Sequence, residues 1–292
     1  MAKLFCFGLG FSALTLARQL RADGWFVSGT CRTTDMQSEL SAQGIPAYLF
    51  DGTAPLPEDA AQALRQADHL LVSIPSGPDG DPAIIQSAEL VRQAAPGLRW
   101  AGYLSTTGVY GDTDGAEVTE QSPLNPSSPR SEYRIAAERA WLDLAVEGLP
   151  IHVFRLAGIY GPSRSVLDQL RKGTARRVDK PGHRFSRIHV DDIAGVLKAS
   201  MARPNPGAVY NVCDDAPAAQ SDVIAFGAEL MGKEPPVAIP FDQAAQGMSP
   251  MALTFWHDNR IVNNARIKQE LGVTLSYPTY REGLAAIWAA EG

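Results

Sequence analysis

An apolar run at Lys3–Phe7 ends in glycine and passes at once into a segment where Leu14 and Ala17, and Leu16 and Leu20, recur at helical spacing. The junction reads Gly8-x-Gly10-x-x-Ala13. A strand that turns through glycine into a helix, with a small residue where the helix must lie against the strand, leaves few alternatives to a βα unit. The N-terminus of its helix offers N–H donors and positive potential to a phosphate. Gly8, Gly10, Phe11, Ser12 and Ala13 are therefore the expected pyrophosphate-binding turn. The motif alone is weak, and its weight comes from opening a series of β/α units.

That series follows. Strands are expected at residues 25–29, 46–50, 69–74 and 99–104, with helices at 58–67 and 82–94 between them. After a loop rich in Gly, Asp, Ser and Pro, a further helix begins at Pro129 and a strand covers 151–155. Alternation of this kind predicts an α/β fold, a Rossmann-like doubly wound parallel sheet with helices on both faces. From about Gly161 the pattern shifts to basic loops, a helix at 191–201, a strand at 208–212 and a proline-rich tail with helices near 265–271 and 280–290. The expected division is a dinucleotide-binding domain over 1–160, to which residues 186–215 return, and a smaller C-terminal substrate lobe over most of 161–292.

The cofactor is read from the strand ends. A carboxylate after the second strand accepts from a ribose 2′-OH, whereas arginine suits a 2′-phosphate. Here Thr30, Arg32 and Thr33 stand in that place, which favours NADP over NAD. Asp51, in the Asp-Gly after the third strand, either accepts from the adenine amino group or starts a turn. Ser73 and Ile74, at the end of the fourth, are expected to line the same ligand.

Composition excludes several classes. The chain has 292 residues, 45% of them hydrophobic, and a net charge of -6, which argues against nucleic acid or an anionic membrane surface as partner. Cys6, Cys31 and Cys213 have neither disulfide-framework nor zinc spacing, so they are expected to be buried and no metal is expected. The uncharged stretch 4–17 is broken by Gly8 and Gly10 and carries no cleavage site, so the expectation is a cytoplasmic protein without signal peptide or membrane span.

Several segments, in order, resemble the extended short-chain dehydrogenase/reductase superfamily, also called the NAD-dependent epimerase/dehydratase family. They are "GLGFSA", "YLSTTGVYGD" at 103–112, the helix from Pro129, "FRLAGIYGP" at 154–162 and "RIHVDDIAG" at 187–195. Gly-x-Gly-x-x-Ala, in place of Gly-x-x-Gly-x-x-Gly, is similar to an atypical, YeeZ-like subgroup. The resemblance implies a Rossmann domain, a small substrate lobe and a homodimer packed through two long helices. It also implies that Thr106, with Ser105 beside it, holds the reacting oxygen.

The helix from Pro129 departs from the family's Tyr-x-x-x-Lys. Aligned on Pro129 and Glu138, Arg130 stands at the tyrosine position and Arg134 at the lysine position; using Tyr133 instead puts Ala137 at the lysine position. A tyrosine must have its pKa lowered by a neighbouring cation before it exchanges protons at neutral pH, whereas arginine stays charged and cannot exchange them itself. Arg130 and Arg134, at i and i+4 on one helix face, suggest a carboxylate or phosphate ligand, and Arg134 a cofactor contact. Tyr133, about 60° around the helix from Arg130, either reaches the site from the side or packs.

Between Arg164 and Arg187, eight Lys/Arg face only Asp168 and Asp179, a local excess of six positive charges. The expectation is an anionic substrate, a nucleotide sugar among the candidates, or else a solvated surface. His189 is read as structural, and Asp191 and Asp192 as helix caps. Two functions follow from these readings. One is an NAD(P)-dependent oxidoreductase or epimerase/dehydratase on an anionic small molecule, with Thr106 and Ser105 orienting it and Tyr133 or water supplying the proton. The other is a catalytically silent NADP(H) sensor.

Overall fold

The computed structural model describes residues 1–291; Gly292, where the expected lobe ends, lies outside them. The chain opens β1 (Lys3–Phe7), α1 (Phe11–Ala22), β2 (Phe26–Cys31), α2 (Thr34–Ala42), β3 (Ala47–Leu49), α3 (Glu58–Arg65), β4 (His69–Val72), α4 (Pro82–Ala94) and β5 (Trp100–Thr106). It continues through β6 (Glu117–Val118), α5 (Pro129–Val146), β7 (Ile151–Leu156), β8 (Gly158–Tyr160), α6 (Val166–Arg171), β9 (Val178–Asp179), β10 (Arg187–His189), α7 (Val190–Ala202) and β11 (Val209–Val212). The remainder holds α8 (Gln220–Leu230), β12 (Ile239–Pro240), α9 (Phe241–Ala245), α10 (Pro250–His257), β13 (Ile261–Val262), α11 (Ala265–Leu271) and α12 (Tyr280–Glu291).

Seven strands form one parallel sheet in the order β11-β7-β5-β4-β1-β2-β3. β4 and β7 are buried along their whole length, as strands covered on both faces must be. The order reverses between β1 and β4, which pair from Leu4↔His69 to Phe7↔Val72, and this is the point where open α/β sheets bind ligands at the strand ends. The parallel strands β2 and β3 need a crossover connection, and α2 supplies it. α2 is not among the expected helices because it buries only Leu40 and so carries no apolar stripe.

Two compact units are formed. The first comprises Met1–Thr106, Pro129–Arg155 and Ile193–Tyr210, and the second Thr107–Ser128, Leu156–Asp192 and the chain from Asn211. Within the first, Phe5, Phe7, Val72, Tyr103, Trp141 and Ile151 share one buried cluster. On the β4, β5 and β7 strands, His69, Trp100, His152 and Phe154 lie ring against ring, with Trp100 Nε1 donating to Ser200 Oγ at 2.9 Å. Burial of these strands favours apolar and aromatic side chains.

The second unit packs α8 and α12 around Tyr160, Leu167, Val223, Leu284 and Ile287. Gly283 is required there, since a Cβ would stand 2.1 Å from Tyr160 Oη. Asp192 does not cap its own helix as expected. Its two oxygens accept from Ser276 N–H at 2.7 Å and Tyr277 N–H at 3.0 Å, tying the segment before α12 to the start of α7. Cys6, Cys31 and Cys213 are all buried and free.

Candidate functional site

The glycine turn is built by three strand ends of the first unit. Gly8 has φ +88°, and a Cβ on it would meet Ile74 Cγ2 at 2.7 Å, so glycine is demanded twice, by conformation and by space. Its N–H donates to Thr30 Oγ1 at 2.8 Å, and Leu9 N–H donates to Thr30 O at 2.8 Å. Ser73 N–H donates to Phe7 O at 2.9 Å, holding the end of β4 beside the turn. Gly10 caps the 12-residue α1 with no side-chain hydrogen bond, and a Cβ there would meet nothing within 4 Å. The first turn of α1 holds no acid, and Ser12 and Ala13 are buried against the sheet while Phe11 is half-buried. Open space at an uncapped helix N-terminus with no competing anion fits a pyrophosphate.

The residues at the end of β2 and just after it differ in role. Thr30 is buried and serves Gly8, and Thr33 caps α2 by accepting from Met36 N–H at 3.3 Å. Arg32 is exposed. Asp51 Oδ1 accepts from Thr53 N–H at 2.9 Å and Thr53 Oγ1 at 2.7 Å, and these bonds hold its carboxyl below the usual range. The turn role is therefore in place at Asp51.

At the end of β5, Ser105 and Thr106 part company. Ser105 is buried and donates to Glu138 Oε1 at 2.5 Å. Glu138, 2% exposed, in turn accepts from Arg155 Nη2 at 2.8 Å and Nε at 3.1 Å, a two-pronged buried ion pair joining α5 to β7. Thr106 is half-buried. Arg130 and Arg134 also differ. Arg130 is exposed, whereas Arg134 is half-buried and its Nη1 donates to Leu104 O at 2.7 Å and to Tyr103 Oη at 3.1 Å. Tyr133 is half-buried. The helix thus presents one cation to solvent and turns the other onto β5.

In the second unit the basic stretch divides. Arg171 pairs with Glu291 and lies 5.5 Å from the Trp288 ring; Arg177 Nε donates to Ser221 Oγ at 3.1 Å. Lys180 donates to Trp256 O, and Arg187 Nη1 to Phe185 O at 2.8 Å and Ala218 O at 3.0 Å. Arg164, Lys172, Arg176 and Arg184 remain exposed. His189 is buried, its Nδ1 accepting from Asp191 N–H at 3.2 Å with the Tyr277 ring at 4.1 Å. Among the described residues no group of three His, Cys, Asp or Glu could hold a metal, and no helix is long and apolar enough to cross a membrane.

Sequence reasoning passed over four participants: Thr30 as the anchor of Gly8, Asp81, Tyr103, and Asn259. Asn259 O accepts from Thr113 N–H at 3.1 Å and Gly115 N–H at 2.9 Å, while its own N–H donates to Asp112 Oδ1 at 2.8 Å. Thr30, Tyr103 and Asn259 carry no local signal, since each acts on residues far along the chain, whereas Asp81 caps α4 from immediately ahead of Pro82.

The model of the "NAD dependent epimerase/dehydratase family" matches residues 88–213. Over 286 residues, 95% of this chain and 97% of the relative, the sequence is 31% identical to Protein YeeZ of Escherichia coli (strain K12). A solved, functionally unknown conserved protein from Silicibacter pomeroyi is 48% identical, with a TM-score of 0.89 and 100% and 99% of the two chains covered. dTDP-glucose 4,6-dehydratase from Bacillus anthracis, solved in complex with NAD, superposes with a TM-score of 0.79 at 18% identity, covering 100% and 97%, a likeness of fold alone.

Proposed function

We propose a dinucleotide-dependent reaction for this chain, which belongs to the NAD-dependent epimerase/dehydratase family. The observation that carries the reading is the turn at Gly8 and Gly10, where an unobstructed helix N-terminus stands at the switch point of the sheet. Gly8, Gly10, Phe11, Ser12 and Ala13 would hold the pyrophosphate, with Ser73 and Ile74 flanking it. Arg32, exposed immediately after β2, favours the 2′-phosphate of NADP over NAD. The bound cofactor would supply hydride transfer, and the half-buried Thr106 would orient the reacting oxygen.

The substrate fits an anionic small molecule, a nucleotide sugar being the class on which the Bacillus anthracis dehydratase acts. Arg130, Arg176 and Arg184 are the exposed guanidiniums that support this. Tyr133 or water would supply the proton that the missing Tyr-x-x-x-Lys pair supplies elsewhere. A homodimer in the cytoplasm completes the proposal. A catalytically silent NADP(H) sensor is the second reading, favoured by Arg134, whose guanidinium is turned onto β5 and cannot exchange protons.

Fluorescence titration with NADPH and NADH tests the cofactor. Wild type should prefer NADPH, and Arg32→Ala should lose at least about tenfold of NADPH affinity, since a hydrogen bond to a charged group is worth about 1.5–3 kcal/mol. NADH affinity should change little. An unchanged preference in the variant would remove the NADP assignment. Turnover with nucleotide sugars and other anionic carbonyl compounds separates enzyme from sensor: a cofactor-saturated, folded protein inert across the panel is the sensor.

A further inference from the structure

The basic stretch of the second unit contains a tight turn, Lys180-Pro181-Gly182-His183, with proline second and glycine third, the order that suits a type II β-turn. Gly182 takes φ +78°, and His183 N–H donates to Lys180 O at 3.1 Å. His183 then faces inward: it is 3% exposed, with the Phe185 ring at 4.6 Å and the Trp256 ring at 5.5 Å. Arg184 follows and is exposed, and its guanidinium makes no hydrogen bond or ion pair among the described residues. An arginine whose backbone is already fixed loses less freedom on binding an anion than one on a loose loop.

Asn259 fixes that backbone. Its Nδ2 donates to Gly182 O at 3.1 Å, and its Oδ1 accepts from Arg184 N–H at 3.2 Å. The side-chain amide offers one donor and one acceptor side by side, as a peptide of a neighbouring strand would, and closes on the chain to either side of His183. Aspartate lacks the donor, and alanine lacks both groups. The Asn259 backbone is engaged elsewhere: its N–H donates to Asp112 Oδ1 at 2.8 Å, and its O accepts from Thr113 N–H at 3.1 Å and Gly115 N–H at 2.9 Å. Further on, Ile261 N–H donates to Ala116 O at 3.2 Å and Val262 N–H to Ser186 Oγ at 3.1 Å. Residues 259–262 therefore bond to 112–116 on one side and to 182–186 on the other, all within the second unit.

We propose, on the basis of the anionic-substrate reading, that Asn259 is a positioning residue: its amide holds the 182–184 turn so that Arg184 projects as a pre-set guanidinium for a phosphate or carboxylate of the substrate. Lys180, in the same turn, donates to Trp256 O and lies 4.7 Å from the Phe241 ring, which leaves Arg184 as the turn's cation for a ligand. The contact between Asn259 and the turn uses only neutral groups, so the charge of Arg184 is not spent on it.

Hydrogen exchange and binding together test this. In Asn259→Ala the Arg184 amide should exchange roughly tenfold faster, while the Thr113 and Gly115 amides, bonded to the Asn259 backbone carbonyl, stay as protected as in wild type. Titration with dTDP-glucose and with thymidine, which lacks the diphosphate, reads anion recognition as the ratio of the two affinities. Arg184→Ala should lower that ratio roughly tenfold, since it removes a hydrogen bond between charged groups. Asn259→Ala should lower it severalfold, and the double variant should be no worse than Arg184→Ala. Asn259→Gln, which keeps both groups but one methylene further out, should lower it in the same direction. A residue that only stabilises the fold would lower the urea midpoint and weaken both ligands alike, leaving the ratio unchanged. Wild type that binds dTDP-glucose no better than thymidine would remove the anionic-substrate reading, and the proposal with it. If wild type does discriminate, an unchanged ratio or unchanged Arg184 exchange in Asn259→Ala, or losses that add in the double variant, would overturn the role of Asn259 alone.

Discussion

Glu138 is 2% exposed, carries a charge, and survives there because Arg155 meets it with two nitrogens and Ser105 with a hydroxyl. Removing one partner of such a pair leaves the other charged in a low-dielectric interior, at a cost of about 3–5 kcal/mol. Glu138→Ala should therefore lower the urea midpoint by an amount of that order, and Glu138→Leu combined with Arg155→Met should regain most of it. Equal losses in the single and double variants would show that packing, not charge, governs the site. The sequence marks Glu138 as the residue after which α5 continues, and it marks Ser105 as a neighbour of Thr106. It carries no sign that Ser105 is buried while Thr106 is half-buried, because alternation along β5 is hidden when both faces are buried.

Elements show a sharper division. β1, α1, β4 and α4 are legible because their apolar spacing and caps are local, as with Asp81 ahead of Pro82. α2 and α8 carry no such signal, since Leu40 alone is buried in the one and the other follows Ala219 with no side-chain cap. The segment after β5 is different again. Tyr110 Oη donates to Asn211 Oδ1 at 2.7 Å, Arg260 Nη1 to Gly111 O at 2.8 Å, and β6 pairs with β13 from Glu117↔Ile261 to Val118↔Val262. Gly111 is the hinge of that clamp: its φ is +66°, and a Cβ would stand 1.7 Å from Asn125 O. Gly111→Ala must move backbone as well as adopt a disfavoured conformation, so a loss of about 2–4 kcal/mol is expected in urea unfolding. A change below about 0.5 kcal/mol would mean that the segment relaxes freely.

For the molecule as a whole, buried titratable groups oppose one another across pH. Burial holds His69, His152 and His189 below the usual imidazole range, and His183 is lowered to about 4 by burial and by Lys180. A depressed histidine binds fewer protons folded than unfolded, so the stability it contributes is present above its unfolded pKa and is lost as pH falls below about 6.5. Asp214 runs the other way. Burial raises it to about 7, with Asp215 and Asp192 adding repulsion and Arg187 and the Ala216 N–H acting against them. Its contribution is full below its unfolded pKa and is lost as pH rises through about 7. Asp214→Asn should therefore gain clearly more stability relative to wild type at pH 8 than at pH 5, read as the difference in urea midpoint at each pH. A gain of equal size at both would exclude titration of Asp214 as its source. Wild type itself should weaken between pH 6.5 and 5 as the buried histidines are forced to charge.

The sequence by itself determined the glycine turn, the alternation of strands and helices, and the missing Tyr-x-x-x-Lys pair. Each depends on residues within a few positions of one another, where conformation and hydrophobic period act directly. Only the tertiary structure decided what the charged residues do. It sent Arg134 onto β5, gave Ser105 to Glu138, and bound Lys180 and Arg187 to backbone carbonyls while leaving Arg32, Arg176 and Arg184 exposed. Burial and pairing arise between segments far apart in the chain, and the energy of a charge depends on which of those segments meets it.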